Sequence, residues 1–113
     1  MIISFAWTTD ALLRGKKTVT RRDWNNEYAL RFFEGMLVDA YDKSPRAGGK
    51  KVATLRLTKA PYKQKLADMP DDHFQREGGI IYWRDKEDFI ETMGGKDKEY
   101  WVIEFTLERV GEK

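Results

Sequence analysis

Glu99-Tyr100-Trp101-Val102-Ile103-Glu104-Phe105-Thr106-Leu107-Glu108-Arg109-Val110 carries the clearest period-two alternation in this 113-residue chain. Trp101, Ile103, Phe105 and Leu107 alternate with Val102, Glu104, Thr106 and Glu108, so the segment predicts a strand with one apolar face and one mixed face. Met36 to Tyr41 and Val52 to Leu57 alternate in the same way. They read as a strand and its return, because the intervening Lys43-Ser44-Pro45-Arg46-Ala47-Gly48-Gly49-Lys50 is loop-forming by every local signal.

Two more strands are predicted nearer the N-terminus, over Ile2 to Trp7 and Thr18 to Trp24. A short helix separates them: Thr8 or Thr9 supplies the N-cap, Asp10 complements the dipole in the first turn, and Gly15 ends it in a left-handed cap. Further helices are predicted over Glu27 to Glu34, Asp71 to Glu77 and Asp85 to Met93, each stopped by glycine, and the pattern reads as helical from Pro61 onward. No linker and no internal repeat interrupts the chain. Five strands in mostly antiparallel order with three or four short helices predict one domain spanning 1–113, an α+β fold or a small open barrel.

This length suffices for a single core without disulfides or a structural metal. The absence of cysteine excludes thiolate metal sites, thiol redox chemistry and a cysteine nucleophile, and suits a reducing compartment. A single histidine, His73, puts a multi-histidine metal site out of reach. The N-terminus lacks the basic start and long apolar run of a signal peptide, and no segment approaches the roughly 20 apolar residues of a membrane span. A cytoplasmic protein with no membrane partner is the expectation. Residues 1 to 64 carry 13 Lys/Arg against 6 Asp/Glu, and residues 65 to 113 carry 8 against 13. The basic first half is the kind of field that draws an anionic ligand such as RNA, unless the folded halves interleave and cancel it.

The chemistry concentrates in Gly15-Lys16-Lys17-Thr18-Val19-Thr20-Arg21-Arg22. On a strand, Thr18, Thr20 and Arg22 share one face, with Val19 and Arg21 on the other. Lys17 falls on the wrong parity for Thr20 and meets it only if the chain turns between them, which the preceding Gly15 permits. A threonine hydroxyl needs a base to become a nucleophile, and a lysine serves as that base only when neutral, its pKa lowered from about 10.4 by burial or nearby cations. Each residue also has a plainer use. Lysines after a helix compensate its dipole, threonine suits a strand, and Glu77 taken alone is a helix-end carboxylate. His73 reads as a helix-surface or capping residue, and Trp7, Trp24, Trp83 and Trp101 divide between core packing and stacking on a nucleobase.

Residues 15 to 22, following Ala11-Leu12-Leu13, closely resemble the signature of ASCH domains, whose PUA-like fold is associated with RNA. The Lys-Thr-x-Thr-x-Arg core, the stretch His73-Phe74-Gln75-Arg76-Glu77-Gly78 and the closing Tyr100-Trp101-Val102-Ile103-Glu104-Phe105 are similar to the small bacterial N(4)-acetylcytidine amidohydrolases of that superfamily. The resemblance implies a PUA-like mixed or antiparallel barrel with flanking helices, and an amide hydrolase that frees cytidine from an N(4)-acylated nucleoside. It implies Lys17 as proton acceptor, Thr20 as nucleophile and Glu77 as proton donor, with no metal and no cofactor. Arg22, on the Thr20 face, is expected to hold the oxyanion or the base carbonyl, and Trp24 to stack on the pyrimidine. A monomer is expected. Trp24 to Lys51 is longer than in the compact enzymes, which would reshape the pocket mouth and the acyl group accepted. Two rival expectations follow from the same residues: a non-catalytic RNA-binding module with Lys17, Arg21 and Arg22 on phosphate, and a small ribonuclease using Lys17 and Glu77 on a ribose hydroxyl and its phosphate.

Overall fold

The alternation at the C-terminal end becomes one long strand on which the rest of the sheet is laid. The structure, a computed structural model, describes residues 1–111. Its strands are β1 (Ile2–Ser4), β2 (Val19–Arg22), β3 (Leu37–Tyr41), β4 (Lys51–Leu57), β5 (Tyr62–Lys65) and β6 (Glu99–Val110). The α-helices are all short: α1 (Thr9–Leu13), α2 (Asn26–Ala29), α3 (Asp71–Arg76) and α4 (Lys86–Thr92).

Both edges of β6 are used. Toward its C-terminus it pairs antiparallel with β4, with Leu57 opposite Phe105 and Ala53 opposite Val110. Toward its N-terminus it has β5 on the same edge as β4, with Tyr62 opposite Val102, and β2 on the other, with Thr20 opposite Ile103. β3 pairs antiparallel with β4, and β1 pairs parallel with β3. The path β1-β3-β4-β6-β2 makes a mixed sheet whose ends do not pair, so it curls into a half-barrel of α+β class. Register shifts at Ala40/Tyr41 and Thr54/Leu55 mark bulges, which increase local bend and twist.

Two apolar clusters stabilise this frame. Ile3, Phe5, Leu12, Val38, Leu55 and Phe105 belong to the cluster inside the curl, whereas Leu66, Met69, Trp83 and Phe89 form a smaller one where the segment after β5 meets α4. The middle of β6 is buried on both faces: Ile103 and Phe105 join the main cluster, and Val102 and Glu104 on the opposite parity are buried as well. The mixed face of the sequence pattern is thus buried at Val102 and Glu104 and reaches solvent only from Thr106 onward.

Three elements depart from the sequence pattern for local reasons. The first strand stops at Ser4, because Ala6–Thr8 turn into a 3₁₀ helix with Ala6 at φ +48°. The helix expected over Glu27 to Glu34 is a single turn, capped by Asn25, whose side chain accepts from the Tyr28 N–H. The stretch after Pro61 opens as a strand, since Tyr62-Lys63-Gln64-Lys65 finds the free edge of β6; pairing, not side-chain pattern, makes it β. Among the described residues, no helix is long and apolar enough to cross a membrane.

Candidate active site

The turn that Lys17 needs is built at the end of α1. Gly15 takes φ +74°, and the N–H groups of Lys16 and Lys17 both donate to the Ala11 carbonyl, at 2.9 and 3.1 Å. The Thr18 N–H then donates to the Arg76 carbonyl at 2.7 Å, tying the start of β2 to the end of α3. Glu77 is the C-cap of that helix, its N–H donating to the His73 carbonyl. Two segments 60 residues apart are thereby brought side by side. The Lys17 Nζ donates to Glu77 Oε1 at 2.7 Å and to the Glu77 main-chain carbonyl at 3.0 Å. Lys17 is 3% exposed and Glu77 2%.

Burial pushes the Lys17 amine below its ordinary value; Glu77 opposes this, and Arg22 and Arg21 reinforce it. The second Glu77 oxygen, Oε2, accepts from Arg21 at 2.8 Å. Arg21 also donates from its other terminal nitrogen to Gln64 Oε1 at 2.8 Å and meets His73 Nδ1 at 2.9 Å. A guanidinium has no lone pair to offer, so His73 Nδ1 is the acceptor and the neutral ring carries its proton on Nε2. Nε2 lies 3.9 Å from Glu104 Oε1. Burial, then Arg21, lowers the His73 pKa. Glu104 is opposed by its own burial, yet hydrogen bonds from Tyr62, Arg76 and Lys59 hold it at about 2. Tyr62 is raised in turn, by burial first and by Glu104 second. His73 is therefore an internal member of a charged network and not a helix-surface residue.

Thr20 and Arg22 share a face as the strand parity predicts, with Arg22 Nε donating to Thr20 Oγ1 at 3.1 Å. The Arg22 guanidinium also sits 5.2 Å from the Phe5 ring centroid. Thr20 is 3% exposed. Accepting from Arg22 leaves the threonine O–H to donate elsewhere. Lys17 spends its contacts on Glu77 and Thr20 accepts from Arg22, but all four residues line one cavity of about 220 Å³, together with Arg21. The rest of its wall is mainly aromatic and apolar: Phe5 from the main core, Trp83 and Phe89 from the smaller one, and Trp7 and Met93 beside them. The cavity thus lies at the seam between the two apolar clusters.

Trp24 is elsewhere. It stacks on Phe32 at 4.7 Å and 19°, meets Tyr28 edge-on at 4.9 Å, and packs against the main cluster. None of the residues lining the cavity comes from Trp24 to Lys51, so that longer stretch does not shape its mouth. The rings that do line it are Phe5, Trp7, Trp83 and Phe89, and the tryptophans among them look in sequence like any other aromatic beside a polar loop. Two donors of the lining residues, Arg21 Nε and Trp83 Nε1, are buried without a hydrogen-bond partner. Among the described residues, no group of three or more His, Asp or Glu side chains is placed to hold a metal ion.

A second, wider groove of about 670 Å³ runs along the outside of the same turn. Arg14, Lys16 and Arg76 line it with Phe74, Ile80 and Ile81, and no carboxylate is on its wall.

No protein-family model and no curated protein matches this chain. Among solved structures it is similar to the crystal structure of protein EF3133 from Enterococcus faecalis V583, of family-model DUF984, with a TM-score of 0.61 at 14% identity over 93% of this chain and 69% of that one. At that identity the likeness concerns the fold alone.

Proposed function

We propose that this protein is an ASCH-type amidohydrolase that removes the acyl group from the exocyclic amine of an N(4)-acylcytidine. The observation that carries the reading is the buried Lys17–Glu77 pair, held at 2.7 Å on the wall of a cavity that Thr20 and Arg22 also line. Moving one proton across that contact converts ammonium and carboxylate into amine and carboxylic acid without changing the net charge. The converted pair is a base and an acid in one site, and the burial that lowers Lys17 favours it.

The Lys17 amine takes the Thr20 proton as the threonine oxygen bonds to the amide carbonyl carbon. The tetrahedral oxyanion is stabilised by Arg22, already bonded to the nucleophile's oxygen. Collapse breaks the C–N bond while Glu77 gives its proton to the departing cytosine amine, leaving an acyl ester on Thr20. The proton on Lys17 returns to Glu77, so the amine is free to take a proton from water. The hydroxide attacks the ester, Thr20 recovers a proton from Lys17, and the acyl group leaves as a carboxylic acid that gives its proton to solvent.

The test is release of cytidine from N(4)-acetylcytidine by the purified protein with chelator present, beside Lys17→Ala, Thr20→Ala and Glu77→Ala. Turnover by the parent that collapses in all three variants supports the reading. A folded parent inert toward several N(4)-acylcytidines sinks it.

RNA binding without catalysis is the second reading, and the groove lined by Arg14, Lys16 and Arg76 favours it, its field reduced by the Arg14–Asp10 and Arg76–Glu104 pairs. Arg21 has no part in it, since its guanidinium is buried among Glu77, His73 and Gln64. Affinity for single-stranded RNA that falls steeply with salt and is indifferent to Thr20→Ser would establish that reading in place of hydrolysis.

A further inference from the structure

We propose, resting on the amidohydrolase reading, that Trp7 is the platform on which the substrate's pyrimidine stacks, with the acyl group turned inward toward Trp83 and Phe89. Trp7 differs from the other cavity aromatics in exposure. It is 62% exposed, whereas Phe5, Trp83 and Phe89 are buried, so Trp7 stands at the mouth and the others stand behind it. The ribose, the hydroxyl-rich end of the nucleoside, is placed toward solvent. Of the two groups flanking the scissile amide, the base is therefore the one at the exposed ring, and the smaller acyl group is the one the closed end accommodates.

The Trp7 ring is fixed before any ligand arrives. It meets Tyr82 at 4.9 Å and 81° and Trp83 at 5.5 Å and 69°, two edge-to-face contacts that set its plane and leave much of its surface open. Tyr82 is itself anchored, its hydroxyl accepting from the Ala11 N–H at 3.1 Å. The backbone before Trp7 is strained: Ala6, at φ +48°, is the one residue other than glycine with positive φ among the described residues. Strain of that kind persists where the surroundings hold a residue in place, and it gathers at ligand sites. Ala6 also lines the cavity. A large apolar ring kept in water by a strained turn, beside a buried nucleophile and acid–base pair, is placed for a flat ligand.

The experiment measures cytidine affinity by calorimetry and N(4)-acetylcytidine kinetics for the parent, Trp7→Phe and Trp7→Leu. Leucine keeps an apolar side chain but has no π face, so it separates stacking from mere wall packing. A stack predicts that Trp7→Leu weakens cytidine binding about tenfold or more and raises KM comparably, with kcat within about threefold, while Trp7→Phe recovers most of the affinity. Parent turnover with KM and cytidine affinity unchanged in Trp7→Leu, or equal losses in both variants, overturns the stacking role and leaves the amidohydrolase reading standing. A folded parent that neither binds cytidine nor hydrolyses the amide overturns both.

Discussion

The Lys17 ammonium donates to Glu77 twice, through Oε1 at 2.7 Å and the main-chain carbonyl at 3.0 Å, while Arg21 takes the other carboxylate oxygen. One buried anion therefore faces two buried cations, and the two ends of the contact are not equivalent. Removing Lys17 leaves Glu77 paired with Arg21. Removing the Glu77 charge leaves both buried cations without their carboxylate. Glu77→Gln is expected to lose about 3–5 kcal/mol of stability, the usual cost of breaking a buried pair, and Lys17→Met clearly less. Urea unfolding at neutral pH checks the order; equal losses would mean that Arg21 does not compensate Glu77.

His73 gives a pH signature. Its folded pKa lies below the ordinary 6.5, because of burial and then Arg21, with Arg76 acting the same way and Glu104 and Asp72 opposing. Between that folded value and 6.5 the unfolded chain binds more protons, so stability rises with pH across the window. The stability is present above 6.5 and is lost as pH falls through the folded value, where an imidazolium can no longer accept from Arg21 at Nδ1. His73→Asn is expected to flatten the urea midpoint between pH 7 and 5. A histidine NMR titration centred at or above 6.5 would contradict the assignment. Glu104, held at about 2, stays ionised throughout and does not confound the window.

How much of this was legible beforehand depends on the residue. The alternation of 99–110 specified β6 to its ends, and Gly15 correctly implied the turn that brings Lys17 inward. The parity argument placed Thr20 with Arg22, whose side chains are bonded. β5 was invisible because Lys63, Gln64 and Lys65 carry no apolar alternation and owe their conformation to the edge of β6. The burial of His73 and of Arg21 has no local signal in the sequence for a related reason. It comes from α3 packing beside β2 and from Arg21 reaching Gln64 on β5, long-range events with no local pattern. Trp24 and Trp7 are both aromatics near polar residues, and only the packing of Phe32 against one and the cavity beside the other separates core from site.

Thr20 and Arg22 make separable contributions to the proposed chemistry. Thr20→Ser keeps a hydroxyl in reach of Arg22 Nε and is expected to retain part of the turnover, whereas Thr20→Val, nearly isosteric, removes the nucleophile and abolishes it. Arg22→Gln is expected to lower kcat roughly 10²-fold, the size of one lost oxyanion donor, with a smaller effect on KM. Steady-state kinetics on N(4)-acetylcytidine reads all three. Full activity in Thr20→Val would exclude the acyl-threonine step.

Gly78 connects Glu77 to the aromatic wall. It follows Glu77 at φ +125°, and a Cβ there would come within 2.7–2.8 Å of two Tyr82 ring carbons. Alanine thus meets two objections at once, a backbone conformation that L-residues avoid and a ring in the way. Relief comes most easily by moving Tyr82, which would loosen its edge-to-face contact with Trp7 and its bond from the Ala11 N–H. Gly78→Ala is expected to cost about 1–3 kcal/mol in urea unfolding and to raise KM for N(4)-acetylcytidine severalfold. Gly95→Ala, also at positive φ but with nothing within 4 Å of its Cβ position, carries the backbone cost alone and leaves KM unchanged. Equal KM effects from the two substitutions would show that Tyr82 does not support the Trp7 ring.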